Sequence, residues 1–225
     1  MDRSNSLGIA LASVLVVASG LGLVGFALAN SGPHQTPLIC APLPGQSDTC
    51  SLTMATYPDS REGVHGKDGG SHPSWVTYSN DNVIVPANST IDMTIDQYDP
   101  DGSLDDTIFD QVTGTIGDTA TIDGKTVSRL DDEDLGHTFT LRGIPGSGTD
   151  LYVSVPLPAD NNSDDSVVLS GMNYNKPIVV QFSFKTGSKG IYEFNCEFPC
   201  GGARKGHFGE AMSTFGYMSG TFTVN

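Results

Sequence analysis

Basic residues are scarce in this chain. Lysine and arginine together number 11 against 26 aspartates and glutamates, for a formal net charge of -15. That balance excludes a nucleic-acid partner, because a phosphate backbone needs a basic face. It suits a highly soluble surface, or a docking face for a basic partner. Cysteine is scarce too, at four residues, and tryptophan occurs once. Past residue 30 there is no apolar run of membrane-spanning length and no segment with strong helical periodicity, which excludes a helical bundle. The chain also lacks a phosphate-binding loop, a Ser-His-Asp order and paired catalytic carboxylates. Nothing marks it as an enzyme acting by itself.

What is present begins with an uncharged apolar run from Leu7 to Ala29, behind Met1-Asp2-Arg3. It is long enough to span a bilayer as a helix, and its Ala27-Leu28-Ala29 has the small-residue pattern of a cleavage site. Residues 1–30 are therefore a membrane anchor (a transmembrane helix) or a signal peptide. Either places the rest outside the cytoplasm, in a periplasm or at a cell surface, although one basic residue gives little orienting bias. Residues 31–73 are rich in Pro, Gly and Ser and read as a flexible linker. Within it, "CAPLPGQSDTC" predicts a Cys40–Cys50 disulfide. His34, His65 and His72 lie in this tether and are assigned no role.

From residue 74 to 225 the pattern turns to period two. "TIDMTIDQ" alternates Ile91, Met93 and Ile95 with Thr and Asp; "IVVQFSF" aligns Ile178, Val180, Phe182 and Phe184. "IYEFNC" aligns Tyr192, Phe194 and Cys196, and "MSGTFTV" aligns Met218, Phe222 and Val224. Short strands between Gly, Pro, Asn and Asp turns predict an all-β antiparallel sandwich or barrel. The Asp-rich stretch from Asp99 to Asp134 reads as a solvated insertion. Its "DPDGSLDD" has the carboxylate density of a calcium loop without the ligand order of an EF-hand.

The chemistry concentrates in "YEFNCEFPCGGARKGHFGEAMSTFGYMSG", from Tyr192 to Gly220. Strand alternation turns the Cys196 sulfur inward, Cys200 follows Pro199, His207 lies in a Gly-rich loop and Met218 opens the last strand. Thiolate, imidazole and thioether together select copper over magnesium or calcium. The distant ligand expected for such a loop is His137, at the start of "HTFTL". A Cys196–Cys200 disulfide in a copper-free sandwich is the competing reading.

These residues resemble a known family. "GHTFTL", "GIYEFNC", a Gly-His and "MSGTFTV" follow the layout of the cupredoxins, copper proteins built as Greek-key β-sandwiches, over about residues 75–225. The second cysteine is similar to the binuclear CuA domain of subunit II of haem-copper (cytochrome c) oxidases. That resemblance implies two coppers bridged by Cys196 and Cys200 and capped by His137 and His207. It makes Met218 and the Phe198 carbonyl the axial ligands. It also implies an electron-transfer protein of a respiratory chain, with an external redox donor and a haem-bearing membrane subunit as acceptor. His207 would be the electron port, with Phe208, Phe215 and Tyr217 as shield or docking rim beside Arg204 and Lys205. The chain departs from the family in the seven-residue step from Cys200 to His207, and in Glu197 standing one place early. Met212 follows His207 at the spacing of mononuclear cupredoxins and is the alternative axial ligand. A mononuclear type 1 (blue) copper carrier, with Cys196 as its single thiolate, is therefore the alternative reading.

Overall fold

The computed structural model describes residues 36–100, 102, 108–131, 134–147, 150–161, 165–200 and 208–225. The expected anchor, His34, Arg204, Lys205 and the ligand candidate His207 lie outside the described residues. Among the described residues no helix is long and apolar enough to cross a membrane.

Fifteen strands lie among the described residues. They are β1 (Leu38–Ile39), β2 (Ala41–Pro42), β3 (Thr49–Tyr57), β4 (Thr77–Tyr78), β5 (Asn82–Val85), β6 (Thr90–Gln97), β7 (Ala120–Ile122) and β8 (Lys125–Val127). They continue as β9 (Leu135–Gly143), β10 (Val153–Pro158), β11 (Ser166–Leu169), β12 (Met172–Asn175), β13 (Ile178–Lys185), β14 (Gly190–Asn195) and β15 (Ser219–Val224). One sheet has the order β1-β5-β15-β14-β9-β10 and the other β2-β3-β6-β13-β7-β8, with β4 paired to the end of β3 and β11–β12 forming a separate hairpin.

The two sheets face each other because the central strands, β6 and β13 above all, carry their apolar residues on one side. Ile91, Met93 and Ile95 of β6 sit opposite Phe184, Phe182 and Val180 of β13 in register, all buried. Across the gap Phe139 of β9 meets Phe182, with ring centroids 5.8 Å apart, and Phe184 meets Phe222 of β15 at 6.0 Å. Each such ring contributes about 1.5–3 kcal/mol by leaving water. The expected all-β sandwich is observed, with one correction: β3–β6, β1–β5 and β5–β15 are parallel pairs. Between β3 and β6 the chain crosses to the other sheet as β5 and returns. That excursion lets β6 lie beside β3 in the same direction.

Strand structure enters residues 31–73 as well. β3 lies within residues 31–73, yet it pairs along its length with β6 and buries Cys50, Leu52 and Met54. The Cys40–Cys50 disulfide closes the loop leading into it. The insertion also proves structural: β7 extends the second sheet beside β13, and Val112, Ala120 and Leu130 join the core.

Candidate metal centre

Three strand ends and one loop meet at the site. β14 buries Tyr192 and Phe194, and the same alternation carries Cys196, the residue after the strand, fully inside. Its amide donates to the carbonyl of Met218 at 2.9 Å, which extends the β14–β15 pairing by one step. His137 stands near the start of β9, paired with Leu157 of β10, and is 2% exposed. Cys200 returns to the same place after the turn at Pro199 and is also buried. Ligand atoms of His137, Cys196 and Cys200 all lie within 4.8 Å of one another.

The donors share one small space. Cys196 Sγ is 3.8 Å from His137 Nδ1 and 3.3 Å from the carbonyl oxygen of Phe198. The Thr138 amide donates to the same sulfur at 3.5 Å, and the Thr138 hydroxyl accepts from the Glu197 amide at 2.8 Å, fixing the turn. On the other side of the imidazole, His137 Nε2 is 2.7 Å from Oδ2 of Asp99. A carboxylate has no proton to give, so Nε2–H is the donor and Nδ1 is the nitrogen presented to the sulfurs. Tyr78, wholly buried, closes the wall by donating to the Thr138 carbonyl at 2.5 Å.

Protons redistribute inside this cluster. Burial would lower the pKa of His137, but the hydrogen bond to Asp99 and then the contact with Cys196 outweigh it and raise it to about 10. Burial likewise opposes the Cys196 thiolate, yet hydrogen bonds from Cys200 and His137 bring that thiol down to about 5. Cys200 is pushed well above its usual range, first by its bond to Cys196 and then by burial. These directions favour a buried Cys196 thiolate beside an imidazolium. The thiolate is the form that binds soft metals.

Two sulfurs, one ring nitrogen and one carbonyl oxygen converge here out of contact with water. Electron-rich atoms gathered so closely need a shared proton or a cation between them. The residues present therefore fit a soft or borderline metal ion, and the sulfur and nitrogen donors among the described residues disfavour magnesium and calcium.

The other expected ligands are distributed as follows. Met218 is fully buried, and its backbone pairs with Cys196. Met212 lies in a single 3-10 turn, Glu210–Ser213, and packs against the core while partly buried. Cys196 and Cys200 are free thiols, not a disulfide. Of the expected rim, Phe208 and Phe215 are exposed at 75% and 56%, whereas Tyr217 is buried. Tyr217 is covered by two histidines given no role from sequence. The His65 ring stacks on it at 3.7 Å, and His72 stacks on Trp75, which meets Tyr217 edge-on at 4.8 Å. The residue that sequence reasoning missed is Asp99, placed there in a solvated insertion but 4% exposed and bonded to His137.

No family model and no curated protein matches the chain. Among solved structures it is similar to a multi-copper oxidase from Pediococcus acidilactici, at 9% identity and a TM-score of 0.37, over 86% of this chain and 29% of that one. It is similar to auracyanin B at 13% identity and a TM-score of 0.33, over 85% and 96% of the two chains. A Cu-containing nitrite reductase (NirK) from Thermus scotoductus SA-01 matches at 9% identity and a TM-score of 0.30, over 78% and 30%. The chain thus spans under a third of the length of two of these proteins. Likenesses so distant carry no weight for what the chain does, and the donor set has to.

Proposed function

We propose that this chain is a copper-binding electron-transfer protein of the cupredoxin type. The carrying observation is the buried His137, Cys196 and Cys200 cluster, with ligand atoms inside 4.8 Å. Bound copper would supply one-electron exchange. The protein's part is to hold the donors still. Cys196 is fixed by β14–β15 pairing and His137 by β9–β10 pairing, so little has to move when charge changes. Burial keeps water from adding as a ligand.

The finer reading is a CuA-like binuclear site. Both cysteines are free and both turn into the same space, and the Phe198 carbonyl stands beside Cys196 Sγ. In that reading His207 and Met218 complete the ligand set, and the chain serves as a subunit-II-like component of a respiratory terminal oxidase. It would be held by its N-terminal helix outside the cytoplasm, between an external redox donor and a haem-bearing membrane subunit. The Cys40–Cys50 disulfide supports an oxidising compartment. A mononuclear type 1 carrier is the second reading, favoured by the placement of Cys196: it extends a paired strand, receives the Thr138 N–H and lies 3.8 Å from His137 Nδ1. Met212 or Met218 would then be its axial ligand.

The test is the full chain, reduced, loaded with copper and freed of excess. Copper per chain is measured together with the electron paramagnetic resonance spectrum. Two coppers with hyperfine splitting shared between both nuclei support the CuA-like site, and one copper with splitting from a single nucleus supports the type 1 carrier. Retention of zinc in preference to copper, or of no metal, sinks the proposal.

A further inference from the structure

Resting on the copper reading, we propose that Asp99 is a positioning residue of the metal centre: its carboxylate fixes the ring of His137 and lowers the reduction potential of the bound metal. The geometry on both sides of the His137 ring carries this. The carboxylate is buried, at 4% exposure, and meets His137 Nε2 at 2.7 Å, while Nδ1 of the same ring points to Cys196 Sγ. One ring nitrogen thus faces the carboxylate and the other faces the sulfurs. A ligating histidine whose second N–H is held by a carboxylate keeps one tautomer and one ring plane, and becomes a stronger donor.

The carboxylate is itself held in place. The Asp99 amide donates to the Gln97 side-chain oxygen at 3.3 Å, and its carbonyl accepts from the Asp160 amide at 2.8 Å. The Gln97 side chain is anchored in turn by donating to the Pro158 carbonyl at 3.1 Å. Gln97 and Asp160 are both wholly buried. Three residues on, the backbone of Gly102 runs so close to β9 that a Cβ there would stand 2.5 Å from Gly136 Cα and from the Leu135 oxygen. The loop leaving β6 is therefore pressed onto the start of the strand that carries His137.

A solvent-facing aspartate would need none of this. Buried against the ring, it adds a negative charge across one imidazole ring from the metal-facing nitrogen. That charge favours the more oxidised metal and so lowers the potential.

The experiment uses the copper-loaded full chain and three variants, D99N, D99A and D99E. Copper affinity is measured by chelator competition, and the reduction potential and the sulfur-to-copper absorption bands are recorded. The melting temperature of each metal-free form is recorded alongside. Removing the partner of a ligating histidine characteristically costs 10–100-fold in metal affinity, and that loss is expected for D99A. D99N keeps an oxygen that can accept from Nε2–H, so it should hold copper more nearly as the parent does while its potential rises. D99E should restore part of the lower potential. If D99A misfolds, the near-isosteric D99N still decides by its potential. Wild-type affinity, bands and potential in D99N and D99A overturn the inference, even if melting temperatures fall. Absence of copper from the parent chain overturns the functional reading itself, and the role of Asp99 with it.

Discussion

Lowering or raising pH on the metal-free, reduced protein should reveal the thiolate–imidazolium pair through its slope. His137 is raised from 6.5 to about 10 on folding, so its stabilisation is complete below pH 6.5 and is lost as pH climbs towards 10. Cys196 is lowered from 9.0 to about 5, so its stabilisation is complete above pH 9 and is lost as pH falls towards 5. Between 6.5 and 9 the two trends oppose. The folded chain holds one proton on the imidazole, the unfolded chain holds one on the thiol, and the net uptake is zero. This pair therefore contributes a plateau, with limbs of about 1.4 kcal/mol per pH unit below 6.5 and above 9. Cys196→Ser removes one side of the cancellation. His137 keeps its Asp99 partner but loses the share of its raise that Cys196 supplied, so its falling trend is left uncompensated and ends at a lower pH than in the parent. The assay is urea denaturation at steps of pH from 5 to 10, without oxygen, for parent and variant. Groups remote from Cys196 are common to both chains and cancel in the difference, whereas Cys200, raised chiefly by Cys196, stops cancelling at high pH. That difference should grow with rising pH from 5, at about 1.4 kcal/mol per unit, for as long as the variant's His137 stays protonated. A pH-independent difference would refute the argument, because it would mean that Cys196 stays a thiol when the protein folds.

Cys200→Ser separates the two copper readings: a CuA-like site should lose one copper and its shared hyperfine splitting, while a type 1 site on Cys196 should keep both its metal and its spectrum. Replacing Cys40 and Cys50 with Ser opens a loop spanning ten residues of sequence, which chain entropy puts at about 3 kcal/mol; an unchanged urea midpoint would contradict the anchoring of β3 described above. Gly102→Ala forces a Cβ into the Gly136 and Leu135 backbone, so chelator competition should show weaker copper binding through displacement of the Asp99 loop. Phe139→Ala removes a ring packed between Phe182 and Phe194 and should cost about 3–5 kcal/mol by thermal or urea unfolding, with the metal ligands left in place.

Parity along strands explains both what could be read in the sequence and what was passed over. Alternation pointed Cys196 inward behind Tyr192 and Phe194, and the structure places all three there. The same rule was available at β3, where Cys50, Leu52 and Met54 alternate with polar residues. The Pro- and Gly-rich residues just before it, and the two cysteines, drew attention to the loop instead of to the strand it feeds. Asp99 shows where residue type misleads. Ile91, Met93, Ile95, Gln97 and Asp99 share one parity, and all five are at most 4% exposed. Counting by twos past the last apolar residue would have sent both Gln97 and Asp99 inward, since the backbone that buries Ile95 gives the residues beyond it little choice of side. Composition argued the other way, because an aspartate among many aspartates looks solvated. What no local pattern contains is the partner: Asp99 and His137 are 38 residues apart and meet because the β6 loop folds over the start of β9. A buried carboxylate needs a proton donor, so an inward-facing Asp is itself a reason to look for a buried His. In this chain that search ends at the imidazole facing the two sulfurs.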